Sequence, residues 1–146
     1  MKRLSSCLAL GLLLWAAPGW GAQGGRDLER EAQIEQELAR LNPALVELFR
    51  AARIAFDQDD YVGAERSLRE VCAKAPTFDA AVRRLGSSLV RQGKRVEGLA
   101  LCERAVTLNR SAENLSSLAY NLIDEKTDNG NGSLTNETRA MQLLRE

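Results

Sequence analysis

Cys72 and Cys102, the two of three cysteines that lie outside the N-terminal segment with Cys7, and a carboxylate cluster, Asp57, Asp59 and Asp60, are the side chains of this 146-residue chain whose types suggest chemistry. Two thiols can pair as a disulfide in an oxidising compartment. They can also serve as small buried apolar residues, as free cysteines commonly do. The sequence leaves both readings open for Cys72 and Cys102. The chain has no histidine. That removes Ser-His and Cys-His nucleophile pairs and imidazole bases, and it leaves two cysteines as a poor zinc set. Asp57, Asp59 and Asp60 lie between two apolar-periodic segments, where aspartate serves as turn former and helix cap. Asp128-Asn129-Gly130-Asn131-Gly132-Ser133 has the composition of a calcium loop. In that register, however, Thr127 and Thr138 fall at the first and last ligand positions, where carboxylates are needed. No phosphate-cradling G-x-x-x-x-G-K, no G-x-S-x-G elbow and no H-E-x-x-H occurs. The expectation is no catalytic residue, no metal and no cofactor.

Charge narrows the partners. Twenty basic and twenty acidic residues cancel, so no basic field for nucleic acid is expected. The N-terminus reads as an address. Lys2 and Arg3 precede an apolar run from Leu8 to Ala17, and the small or chain-breaking Pro18, Gly19, Gly21 and Ala22 follow. This is the order of a secretory signal peptide, and the run is half of what a membrane span needs. Residues 1–22 are therefore expected to be removed, leaving no stable membrane span. Losing Lys2 and Arg3 leaves eighteen basic against twenty acidic residues, a net of −2. Asn109, Asn114, Asn131 and Asn136 head N-x-S/T sequons, which matter only in a eukaryotic secretory pathway. Asn114 falls inside an expected helix, and Asn131, on a loop, is the best acceptor.

The remaining residues read as helices joined by short turns. Asp27 caps a helix to Leu41, with Leu28, Ile34, Leu38 and Leu41 toward one face and Glu29, Arg30, Glu31 and Glu35 on a solvated surface. Residues 23–42 thus form a leader and an N-terminal packing helix. Asn42-Pro43 ends it and opens the next, because proline suits a first helical position. Further helices are expected at 43–56, 61–74, 78–90, 95–108 and 112–124. No segment alternates every second residue as a strand does. The pattern also recurs after 34 residues: Leu48, Ala51, Ala52 and Ala55 precede Val82, Leu85, Gly86 and Leu89 by that interval. A helix-turn-helix unit of that length resembles the tetratricopeptide (TPR) repeat.

The resemblance covers residues 45–112 as two repeats, within a domain spanning 43–146 that includes a modified, truncated third. It implies an all-α fold, a TPR-like solenoid of stacked antiparallel helical hairpins. It also implies close helix approach at Ala52 and Gly86 in the first helices and at Ala64 and Gly98 in the second, with Ala105 packed later. Pro76 matches the closing proline, whereas Arg110 stands in its second place. Tyr61 matches the aromatic that opens a second helix, whereas Arg95 does not. In the third unit Ala140 is expected to take the place of Ala64 and Gly98 after a loop of about nine extra residues. First helices of the family line a groove for a partner segment. The resemblance places Phe49, Arg53 and Phe56 there from the first repeat, and Arg83, Ser87 and Arg91 from the second. Tyr120 comes from the third. The aromatics would anchor and the arginines would pair with carboxylates; alternatively, Phe49 and Phe56 pack against the 27–41 helix.

The expectation is an exported protein-protein interaction module, a scaffold or assembly factor binding a protein or peptide segment in a bacterial periplasm or cell envelope. Two alternatives stand beside it: the N-terminal targeting part of a larger exported enzyme, and a co-chaperone of the eukaryotic endoplasmic reticulum lumen.

Overall fold

The computed structural model describes residues 27–123 and 134–145. The expected signal segment and the Asn131 sequon lie outside them. The described residues form seven α-helices and no strand: α1 (Leu28–Leu41), α2 (Val46–Asp57), α3 (Tyr61–Lys74), α4 (Asp79–Arg91), α5 (Arg95–Leu108), α6 (Ala112–Ile123) and α7 (Leu134–Leu143). A short 3-10 turn, Pro43–Leu45, leads into α2.

Local chemistry sets these boundaries. Helix starts leave unpaired backbone N–H groups that side-chain oxygens can satisfy. Asp27 accepts from the amides of Glu29 and Arg30, both at 3.0 Å. Asn42 accepts from Ala44 at 3.2 Å, Asp60 from Gly63 at 2.8 Å, and Ser111 from Asn114 at 3.3 Å. Each helix packs on the next in sequence, α2 on α3, α4 on α5 and α6 on α7, and α4 also touches α6.

The 34-residue interval is present in the elements themselves. Tyr61–Lys74 and Arg95–Leu108 differ by 34 at both ends, and α1 precedes α3 by 33. The turns share it too. Asp59 and Gly93, 34 apart, hold positive φ of 60° and 80° in the turns before α3 and α5. That conformation is strained for any residue with a Cβ, and glycine relieves it in the second turn only.

The helix pairs meet through small residues. Ala52 and Ala64 are buried in the first pair, Gly86 and Gly98 in the second, and Ala119 and Ala140 in the third. Ala105 is buried on α5. The glycine pair leaves no room for a Cβ. A Cβ on Gly86 would lie 2.7 Å from the Gly98 carbonyl oxygen and 3.0 Å from the Cys102 amide nitrogen. A Cβ on Gly98 would meet Val90 Cγ2 at 2.6 Å. Two apolar clusters result. One joins Ile34 and Leu38 of α1 to Phe49, Leu68, Phe78 and Leu85. The other joins Cys102 to Leu118, Ala119, Leu122 and Ala140.

Two expectations for α1 are corrected. Leu28 and Leu41 do not reach the core and are 73% and 59% exposed. Glu31, expected at the solvated surface, is only 8% exposed. The reason lies on the face that α1 covers.

Candidate binding face

Helices α2, α4 and α6 contribute adjoining side chains to one face. A pocket of about 100 Å³ lies on it, walled by Ala52, Arg53 and Phe56 of α2, Leu68 of α3, and Arg83, Arg84 and Ser87 of α4. It brings together four of the seven residues expected in the groove: Arg53, Phe56, Arg83 and Ser87.

The N-terminal half of α1 spans this face. Glu31 places both carboxylate oxygens 2.6 Å from Nη2 of Arg84 on α4. The same carboxylate lies 3.9 Å from Nε of Arg53 on α2. One residue earlier, Arg30 Nε donates to Glu113 of α6 at 2.8 Å. Glu35, one turn later, accepts from Arg50 of α2 at 3.2 and 2.5 Å. Thus two adjacent residues of α1 reach three different helices. A carboxylate withdrawn from water needs such partners, because an unpaired one would not remain ionised there.

The arginines are unequal. Arg84 also stacks its guanidinium 4.5 Å from the centre of the Phe49 ring. Arg83 has no ion pair among the described residues, and its buried Nε has no hydrogen-bond partner. Burial first, then the Arg84 charge, pulls the Arg83 guanidinium below its ordinary value, against the pull of Asp79, Glu113 and Glu31. Arginine remains charged through any such shift at neutral pH. The buried Nε of Arg53 likewise lacks a hydrogen-bond partner.

Of the two readings of Phe49, groove anchor or packing against the 27–41 helix, the structure agrees with the second, in one cluster with Ile34 and Leu38. Phe49 is fully buried, edge-on to Phe78 with ring centres 5.4 Å apart. Phe56 is half-buried and packs edge-on to Tyr61 at 5.2 Å. Ser87 turns toward α6, where its Oγ lies 3.2 Å from Ser117 Oγ and accepts from Asn121 at 3.0 Å. At the other end of the face, Arg91 Nη2 donates to the Tyr120 hydroxyl at 2.8 Å and its guanidinium lies 5.3 Å from the ring centre. Tyr120 is 54% exposed. The seven expected residues therefore divide into a core residue, a pocket group and an open pair.

Three contributors were not identified from sequence. Arg95 departs from the repeat pattern, yet its guanidinium donates to the carbonyls of Asn121 and Leu122 at 3.0 and 2.6 Å. A cation there offsets the partial negative charge of the end of α6. Asn114 is buried and donates to Asp79 and to the Asn109 carbonyl, both at 2.7 Å. Its amide is therefore enclosed and unavailable as a glycan acceptor in the folded chain. Glu65 ties α3 to the turn after α4, accepting from Lys94 at 2.7 Å, Gln92 at 2.8 Å and Arg69 at 2.9 Å. The Lys94 hydrogen bond leads in holding its carboxyl down at about 2.

Of the two readings left open for the thiols, the structure agrees with the unpaired one: both are free. Cys102 is buried beside Gly86 and accepts a weak 3.4 Å bond from Asn121. Cys72 lines a separate pocket with Arg69 and Arg104. Burial pushes each thiol up to about 11, so the nucleophilic thiolate is scarce at neutral pH. Among the described residues no group of three or more Cys, Asp or Glu side chains could hold a metal ion. None of their helices is long and apolar enough to cross a membrane. Comparisons with models of known families, with curated proteins and with solved structures find no match.

Proposed function

We propose that this chain is an exported, tetratricopeptide-like binding module that holds a protein segment against the α2/α4/α6 face as a scaffold or assembly factor. The observation that carries the reading is the 34-residue interval. It relates α3 to α5 and the left-handed turn residues Asp59 and Gly93. Small residues pair at the first two helix crossings in the same phase, Ala52 with Ala64 and Gly86 with Gly98. A helical hairpin cannot bury its apolar side alone; stacking neighbours in one register does so and aligns their first helices along a common face. That face has what a binding surface needs: an open aromatic, arginines and a small recess. Export is proposed from the sequence order of residues 1–22.

Crosslinking capture from a native envelope tests the reading, with the wild-type chain beside Arg53→Glu/Arg91→Glu and mass spectrometry as readout. A protein captured by the wild type and lost with the variant is the expected result. Capture that survives both charge reversals places the binding surface elsewhere.

A further inference from the structure

Charge on the α2/α4/α6 face points to a partner chemistry, and α1 displays it. Building on the groove reading above, we infer that α1 is a resident occupant of the face, and that the partner segment replacing it is an acidic amphipathic helix. Such a helix would set a carboxylate at the place of Glu31 and apolar residues at the places of Ile34 and Leu38.

Three observations carry this. First, α1 meets the face as a ligand would. Its side chains reach α2, α4 and α6 through Glu31–Arg84, Glu31–Arg53 and Arg30–Glu113. Its backbone packs chiefly on the 3-10 turn and α2. Second, three guanidinium groups line the pocket, those of Arg53, Arg83 and Arg84, and α1 sets one carboxylate, Glu31, against them. Glu31 closely engages Arg84, while Arg53 stands at 3.9 Å and Arg83 has no ion pair among the described residues. The pocket beside them has room for a further carboxylate group. An acidic helix offering two carboxylates would satisfy guanidinium groups that α1 leaves underused. Third, the two halves of α1 are held differently. Ile34 and Leu38 are buried in the apolar cluster, whereas Leu28, Glu29, Ala32 and Gln33 are exposed. Residues 28–33 are thus held by the ion pairs of Arg30 and Glu31, which salt and competing charge weaken. Residues 34–41 are held by burial of Ile34 and Leu38 as well as by the Glu35–Arg50 pair, and are joined at Asn42-Pro43. Release from the charged end, with Leu38 leaving last, is the order this arrangement dictates.

A labelled peptide of residues 27–42 serves as the probe. Its binding is read by fluorescence anisotropy against the full wild-type chain, Glu31→Gln and Glu31→Arg/Leu38→Ala. Weakening the resident helix raises the fraction of chain able to accept the peptide, and apparent affinity follows that fraction. The expected order is wild type weakest, Glu31→Gln tighter, and the double variant tightest by about tenfold or more. A peptide carrying Glu31→Arg should bind none of them. Equal affinity across the three chains, or no binding by Glu31→Gln while it melts cooperatively, overturns the inference. If the double variant does not melt cooperatively, Glu31→Gln against wild type decides. A flat peptide series beside a captured protein lost with Arg53→Glu/Arg91→Glu removes the role of α1 and keeps the groove. Failure of both removes both.

Discussion

The two ends of the α2/α4/α6 face use the same residue types differently. At the covered end an aromatic and an arginine, Phe49 and Arg84, stack beneath α1, and a carboxylate from that helix completes the cluster. At the other end an aromatic and an arginine, Tyr120 and Arg91, stack with the tyrosine 54% exposed and α1 out of reach. The covered pair contributes to stability because it is desolvated and packed. The open pair contributes little, since exposed charged contacts are screened and cost side-chain freedom. An aromatic-arginine pair becomes structural where a helix covers it and stays available for binding where none does.

Truncation should show the largest contrast. Phe49→Ala empties a fully buried ring site and is expected to cost about 3–5 kcal/mol; Tyr120→Ala should change stability by less than about 0.5 kcal/mol. Chemical denaturation measures both, and similar costs would erase the distinction between the ends. Gly86→Leu probes the helix that both ends share. Its side chain would enter backbone atoms of α5 at 2.7 and 3.0 Å, which cannot rotate away. The expected loss is about 3 kcal/mol, at the upper end of overpacking. An unchanged melting temperature would refute the close approach of α4 and α5.

Charge removal should be smaller. Glu31→Ala leaves Arg84 without its carboxylate and is expected to cost about 2 kcal/mol, while Arg91→Ala should leave the melting temperature nearly unchanged. Parity of the two would mean that α1 does not depend on Glu31. Acid should act most gently. The Glu65 carboxyl, held at about 2 against an ordinary 4.5, stabilises the fold fully above the ordinary value. That contribution fades as pH falls from about 4.5 toward 2. Glu113 is also held low, through its own backbone amide first and then Ser111 and Arg30, so its contribution fades over the acid side of the same range. Stability measured against pH should therefore fall below about 4.5. Glu65→Gln should flatten that fall, and Arg91→Ala should leave its shape unaltered.

Much of the fold was legible because local rules and tertiary packing agree here. Asp27, Asn42, Asp60 and Ser111 mark helix starts by chemistry that acts within three residues. The small residues at 52, 64, 86 and 98 recur because each hairpin solves the same packing problem. Glu31 was misread for the opposite reason. Its partner Arg84 is 53 residues away, and no periodicity links a surface-like glutamate to it. Phe49 stayed open between groove and α1, because its position in the repeat points toward the groove and only the docked α1 covers that part of it. Arg95 was read as a lost aromatic, since its acceptors are backbone carbonyls of α6 that no side-chain pattern reveals.

Amide hydrogen exchange on the full chain tests the relation between the two ends most directly. If residues 28–33 of α1 cover the face chiefly by ion pairs, amides of residues 31–33 should exchange well before those of the α4 core around Leu85–Leu89. Salt should widen the gap, and Glu31→Gln should widen it further. Exchange of residues 31–33 at the same rate as α4, unmoved by salt or by Glu31→Gln, would show α1 to be a fixed part of the core and contradict the account.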